Sequence, residues 1–358
     1  MSVTTLLLFV LGACGSDAEG KKGNAGNDNG DPSKGPAAPL TADEKACDDL
    51  YLAQVAWTHR CGGILIDSQS AIQRFRKVCA RELSAPGAEG LRESRARCSE
   101  LRRNAACDAV IPECELTPGS LPDGASCAAR SQCASLHCKL DASACGKCAP
   151  LVEAGGECSL PLDCAFGDGE IASCDFDGPT QTGKCSVWKL SSAGEECTNE
   201  KFCNIGLHCK TEGENATSGT CVANKGEGAA CENSGTCKIG LVCRSGKCST
   251  RPKEGEACTV FDECADGLGC DGTCKKVVYV ASGQECDAIR RCERGRCVQR
   301  VEEGKDGKAV PAGPATCIDP IADGNACGSE QAQSGLICDH FARCLGGHCV
   351  YPDASACH

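Results

Sequence analysis

One spacing dominates the chain. From residue 124 onward a Gly-Glu or Gly-Ala lead is followed by the form Cys-x5-Cys-x5-Cys, a glycine-bearing turn and a fourth cysteine. The first cysteines of seven copies are Cys127, Cys158, Cys197, Cys231, Cys258, Cys286 and Cys327. The gap to the second cysteine is five residues in six copies and ten in the last, between Cys327 and Cys338. The cleanest copy, CENSGTCKIGLVCRSGKC over 231–248, has only Ile239, Leu241 and Val242 to bury. Chains below about 40 residues rarely fold by burial alone. Two disulfides, each closing a loop of a dozen or so residues, contribute about 3 kcal/mol apiece in the chain-entropy model. They replace the missing core.

Four cysteines admit three pairings. First with third and second with fourth is the expected one: Cys197–Cys209 with Cys203–Cys221, Cys231–Cys243 with Cys237–Cys248, and Cys258–Cys270 with Cys264–Cys274. Gly240-Leu241-Val242-Cys243 and Gly246-Lys247-Cys248 read as two short strands around a Ser-Gly turn, so each copy is expected to be a small β-hairpin. Copies recur every 27 to 41 residues, too irregularly for a stacked solenoid. The expectation is therefore independent beads, which in line would reach on the order of 100 Å.

Cysteine makes up 37 of 358 residues while aromatics are 3%, so disulfides rather than a large core must hold most of the length. So many paired thiols require an oxidising compartment. A thiolate metal store would favour adjacent or Cys-x-Cys sulfurs, and neither occurs. Cys145-Gly-Lys-Cys148 is the sole Cys-x2-Cys, without a second pair or a histidine cluster to complete a zinc site. No metalloprotease, nucleophile-elbow or phosphate-loop motif is present, so no enzyme activity and no cofactor are expected. The net charge is −12, and residues 115–358 carry 34 acidic against 23 basic side chains, which argues against a nucleic-acid partner.

The first thirteen residues, MSVTTLLLFVLGA, form an apolar run too short to span a bilayer and suited to a signal peptide. Leu11-Gly12-Ala13-Cys14 resembles the lipobox of bacterial lipoproteins. That resemblance implies cleavage before Cys14, acylation of its sulfur, and a place in the bacterial cell envelope, at the outer membrane or cell surface. Parity agrees, because setting Cys14 aside leaves 36 cysteines, enough for 18 disulfides. Residues 14–40 are rich in Gly, Asn, Asp and Pro and read as a disordered tether spanning roughly 30 Å.

At Thr41 the pattern changes. Thr41-Ala42-Asp43-Glu44 has the capping-box form. Ala46, Leu50, Ala53 and Trp57 then mark one face of a helix, and Gly62-Gly63 closes it. A second helix starts near Asp67 or Ser68 and carries Ile72, Phe75 and Cys79, and a third carries Leu91, Cys98, Leu101 and Ala105. Trp57 and Phe75 are the expected core anchors of this three-helix domain, residues 41–118, stapled by Cys47, Cys61, Cys79, Cys98, Cys107 and Cys114. Helix rise in an antiparallel pair brings Cys47 beside Cys79. Cys61 belongs at the opposite end, near Cys98 or Cys107.

The seven copies, residues 119–358, resemble in spacing and in their Gly-x-Cys ends the Dickkopf N-terminal cysteine-rich domain and related EGF-like modules, over about residues 120 to 350. The resemblance implies a secreted, disulfide-stapled interaction module. The fold class expected is small disulfide-rich, a stapled α-helical domain followed by tandem short β-hairpin repeats. The function expected is that of a non-enzymatic, lipid-anchored surface protein in adhesion, ligand binding or structural spacing. It would bind a protein or surface ligand and hold to the membrane through its acyl chains. The alternative is a proteinase inhibitor, with 210–220 and 302–316 as candidate exposed loops.

Overall fold

The computed structural model describes residues 39–357 apart from 64, 141–144, 159–160, 176–182, 213–215, 260–263, 300, 304–308, 312, 329–337, 340–341, 352 and 354–356, with backbone alone for the rest of 301–311. Cys14, the signal peptide and the tether to residue 38 lie outside the described residues.

Three helices open the described chain: α1 (Ala42–Arg60), α2 (Gln69–Leu83) and α3 (Leu91–Asn104). The capping box forms, with the Glu44 N–H donating to Thr41 Oγ1 (3.2 Å) and the Thr41 N–H to Glu44 Oε2 (2.8 Å). Ser68 caps α2, and Gly90 at φ +83° opens α3. The buried face of α1 is wider than its apolar stripe predicts and comprises Cys47, Leu50, Tyr51, Ala53, Val55 and Thr58. The cause is geometric: α1 lies between α2 and α3 and is covered on two sides. Tyr51, not Trp57, is the aromatic anchor of α1. Its ring lies 4.9 Å from that of Phe75 among Val55, Ala71 and Ile72, and its hydroxyl donates to the Ile66 carbonyl (2.6 Å). Cys47 is bonded to Cys79, Cys61 to Cys107 and Cys98 to Cys114.

The remainder is a small disulfide-rich assembly of short, mostly antiparallel hairpins. In every repeat the first cysteine is bonded to the third and the second to the fourth, from Cys127–Cys138 and Cys133–Cys148 to Cys327–Cys344 and Cys338–Cys349. The third and fourth cysteines are direct cross-strand neighbours in all seven hairpins, as in Cys243 opposite Cys248. Their sulfurs bond not each other but the first and second cysteines. The core of a repeat is thus sulfur with one or two aliphatic residues: Cys231, Cys237 and Cys248, for instance, with Leu241 and Cys243 beside them.

Three backbone bonds recur beneath this sulfur pattern. Three residues before each first cysteine stands a glycine, Gly124, Gly155, Gly194, Gly228, Gly255, Gly283 or Gly324, with φ between +78° and +87°. Its N–H donates to the carbonyl of the fourth cysteine at 2.7–2.8 Å in all seven repeats. The fourth cysteine's N–H returns to the carbonyl just after that glycine at 2.8–2.9 Å. Only this left-handed turn lets both bonds close, and a side chain there is disfavoured. Six residues before the first cysteine, a lead carbonyl accepts the N–H that follows the second cysteine, as from Ala134 to Leu121 and from Lys238 to Lys225. The lead strand runs parallel to the second cysteine, as in Leu121 with Cys133 and Ser191 with Cys203. In the fifth repeat the lead residue is Pro252, whose carbonyl accepts (2.8 Å from the Ala265 N–H) but which has no N–H to return.

The repeats are not beads on a string. They wrap around the helices and return to their start. The first repeat docks at the end of α2, where the side-chain amide of Gln132 donates to the Pro86 carbonyl (2.9 Å) and Ser131 bonds Glu82. A Cβ on Gly240 of the fourth repeat would lie 3.4 Å from Cys107 Sγ, and one on Gly267 of the fifth would strike the His59 ring. The sixth meets the start of α2 through Tyr279, whose hydroxyl accepts the Asp67 N–H (3.2 Å), and Glu293, which accepts from Ser70 (2.8 Å). The circle is closed covalently by Cys145–Cys357, 212 residues apart in sequence. The two halves of Cys145-Gly-Lys-Cys148 therefore serve different partners, since Cys148 is bonded to Cys133. Extended beads are the expectation from varying repeat length; most of the variation is absorbed between the third and fourth cysteines, with the second repeat longer between Cys164 and Cys174 and the last between Cys327 and Cys338, and the lead-strand bonds recur in every repeat.

Candidate ligand cleft at the end of the helical hub

A cleft of about 830 Å³ lies between the C-terminal end of α1 and the third and fourth repeats. Its helical wall exists because α1 stops there. Gly62, at φ +89°, turns the chain after Cys61, and the Cys61–Cys107 disulfide ties that turn to the segment after α3. Trp57 is left half-buried in the wall, its indole N–H donating to the Ala106 carbonyl (3.3 Å) and the Arg102 guanidinium 5.8 Å from its ring centre. Burial, with Arg95 nearby, holds Arg102 below the usual guanidinium range. The residue read from sequence as a core anchor thus presents part of its ring to a cavity.

The facing wall is the third repeat, built from the strands Lys201–Cys203, Leu207–Thr211 and Gly219–Ala223. Phe202 is fixed by an edge-on contact with Trp188 of the second repeat (centroids 5.8 Å, 82°). That contact follows the parallel pairing of Leu190 with Phe202. Ile205, 37% exposed, stands beside it on a turn held by its own N–H to Asn204 Oδ1 (2.8 Å). His208 is oriented by Asn224 (Nδ1 to Oδ1, 3.0 Å). The fourth repeat contributes Asn233, Thr236 and Ile239.

The lining mixes aromatic and aliphatic side chains with amides and hydroxyls, and in a chain of net charge −12 it includes no carboxylate among the described residues. The cations at its walls are Lys201, which pairs with Glu196 at 3.0 Å, and Arg251. Cys61, Cys107, Cys197, Cys203 and Cys209 in the lining are all disulfide-bonded, so they offer no thiolate to a substrate or an ion. The volume falls in the range of small-ligand sites. Stacking surfaces and neutral hydrogen-bonding groups equip it to bind.

Elsewhere the sulfurs of both disulfides of a repeat converge, with Cys127, Cys133 and Cys148 among several triplets lying within 4.8 Å. Metal ligation needs the deprotonated thiolate, which a disulfide lacks. Of the loops considered for inhibition, the ends of the 210–220 stretch pair in the hairpin of the third repeat and Glu302 and Glu303 pair with Val310 and Ala309, while residues 213–215, 304–308 and 312 lie outside the described residues. Among the described residues no helix is long and apolar enough to cross a membrane.

Fold and cleft together define a disulfide-rich multi-repeat protein of an oxidising compartment, secreted or at a cell surface. The chain is 28% identical, over 166 residues, to Cell-cell adhesion glycoprotein 64 of Heterostelium pallidum, covering 38% of this chain and 51% of that one. It thus spans about half the length of this curated relative. No family model and no solved structure matches the chain.

Proposed function

We propose that this chain is a non-enzymatic cell-surface protein that works in adhesion by capturing a ligand in the cleft beside Trp57 and Phe202. The observation that carries this reading is the cleft itself: aromatic, amide-rich, free of carboxylates among its described lining residues, and walled by cysteines that are all disulfide-bonded. The similarity to a glycoprotein named for cell–cell adhesion supports the same role. Cys14 anchors the protein through acyl chains. In support, the 18 disulfides take up all 36 cysteines from Cys47 to Cys357, so the fold needs no thirty-seventh. Two acyl chains or more are what stable anchoring requires.

The test is adhesion of beads coated with the protein lacking residues 1–13. Coated beads are expected to bind one another or the surface of the source cells. A Phe202→Ala, Ile205→Asp double variant is expected to lose that binding by about tenfold or more, as removal of a central aromatic contact does. Failure of the coated beads to adhere, or equal adhesion by the variant, overturns the reading. Incorporation of a fatty-acid analogue, abolished by Cys14→Ser, tests the anchor separately.

A further inference from the structure

Arg74, Lys77 and Arg81 recur along α2 at spacings of three and four and so share one face of the helix. The last repeat and the residues after it lie along that face. Asp339 is 3.6 Å from Arg74, the Tyr351 ring centre is 5.9 Å from Lys77 Nζ, and Asp353 is 3.6 Å from Arg81. Asp339, whose side chain is 5% exposed, also receives Arg294 of the sixth repeat at 2.9 Å. The basic stripe therefore already holds a ligand in cis: carboxylates and an aromatic ring spaced to match it.

Cys145–Cys357 keeps that ligand in place, and it differs in kind from the other bonds. Its cysteines are 212 residues apart, whereas the rest are separated by 10 to 46. Breaking it takes no staple from any folding unit. The first repeat keeps Cys127–Cys138 and Cys133–Cys148, and the last keeps Cys327–Cys344 and Cys338–Cys349. Apart from one buried contact, the remaining hold on the stripe is weak. Arg81–Asp353 is partly exposed and contributes little, and the Lys77–Tyr351 contact is at the long end of the cation–π range, so the firm contact that remains is that of the buried Asp339 with Arg74 and Arg294.

We propose that Cys145–Cys357 is a latch, and that opening it uncovers the Arg74, Lys77 and Arg81 stripe as a docking face for an acidic polypeptide segment. The reductant is an external dithiol. One of its thiolates attacks a sulfur of the bond to form a mixed disulfide, and its second thiol resolves it. Two electrons and two protons pass to Cys145 and Cys357, which become thiols, and the dithiol leaves as a disulfide.

Two measurements test this on the full chain. In a titration with a dithiol followed by alkylation and peptide mapping, Cys145 and Cys357 are expected to be alkylated first, with the other seventeen bonds intact. In the Cys145→Ser, Cys357→Ser variant, binding of poly-L-glutamate is expected to tighten by about tenfold. Dicarbonyl labelling of Arg74, whose side chain is 16% exposed, should accelerate by a similar factor while Arg97, 54% exposed, does not change. Adding Arg74→Glu and Arg81→Glu should return the affinity to that of the unaltered chain. Alkylation that begins within a repeat or the helices overturns the latch. Unchanged poly-L-glutamate affinity and unchanged Arg74 labelling in the double-serine variant overturn the docking face.

Discussion

The helical hub and the repeats are both rich in cysteine, yet sulfur does different work in each. In the hub, disulfides join elements that already bury apolar side chains: Tyr51, Val55, Ala71 and Ile72 form one cluster, and Leu83, Ala85, Ala88 and Leu91 another. In a repeat such as residues 231–248 the cysteines are the cluster. The hub can lose a disulfide and keep a core, whereas a repeat that loses one keeps a turn and little else. Cysteine count alone therefore does not tell a staple from a core.

The sharpest way to break this contrast is an apolar truncation. Tyr51→Ala removes a ring that is 5% exposed and leaves the Ile66 carbonyl unsatisfied, and is expected to cost about 4 kcal/mol in the hub. Thermal unfolding followed by helical circular dichroism reads it, and a loss below about 1 kcal/mol would mean that the hub too is held by sulfur. The converse experiment removes Cys237–Cys248 by double serine substitution. The chain-entropy cost is about 3 kcal/mol, enough to unfold the fourth repeat while the helical signal persists. Hydrogen exchange by segment should show loss of protection over 225–250. Intact protection there would show that the lead-strand bonds suffice without the second disulfide.

A smaller effect separates backbone from sulfur. Gly228 at φ +80° has open space where a Cβ would lie, so Gly228→Ala carries a conformational penalty of about 1–2 kcal/mol and no clash. The variant should exchange the Cys248 N–H faster while both disulfides stay closed on a mass-spectrometric map. In the hub, Thr41→Ala removes the capping box for about 1 kcal/mol, visible as fraying of the first turn of α1 by amide exchange. Equal exchange in the variant would mean that α1 is held at that end by packing alone.

How much of this was legible depended on the range of the signal. The capping box at Thr41 and the helix starts are local patterns and read directly. The first-to-third pairing repeats seven times within short segments, and the hairpin turn at Ser245-Gly246 is likewise local. The misplacement of Trp57 arose because a single-stripe reading assumes one covered face, and α1 has two. The glycine before each first cysteine was visible as part of the lead, but its purpose was not. It works through the carbonyl of the fourth cysteine, whose distance along the chain varies. The closure of the ring left still less trace: Cys145 sits in a Cys-x2-Cys and Cys357 at the end of the sequence, and nothing local pairs residues 212 positions apart. The cleft depends on that same long-range wrapping, so its walls appear in sequence as unrelated residues.

The finest comparison is between two exposed carboxylates that each close a turn, Glu44 in the hub and Asp287 in the sixth repeat. The Thr41 N–H, with the Thr41 hydroxyl, holds Glu44 below the usual range. At Asp287 the N–H groups of Arg290 and Ile289, followed by the Arg290 guanidinium, lower the pKa from 3.8 to about 2. Both contributions have the same sign. A carboxyl depressed in the folded state adds stability that is complete above its unfolded pKa and is lost as pH falls through the folded value. For Asp287 that window runs from near 4 down to about 2. Because the group is at the surface the effect on stability is small, and the guanidinium part is screened by salt while the two N–H bonds are not. A carboxyl-carbon titration by NMR is expected to place the Asp287 midpoint near 2, with the Ile289 and Arg290 amides exchanging faster below it, and Asp287→Asn should abolish the inflection. A midpoint near 4 would mean that the sixth repeat's turn is held by its disulfides alone, and the parallel with the hub's cap would fail.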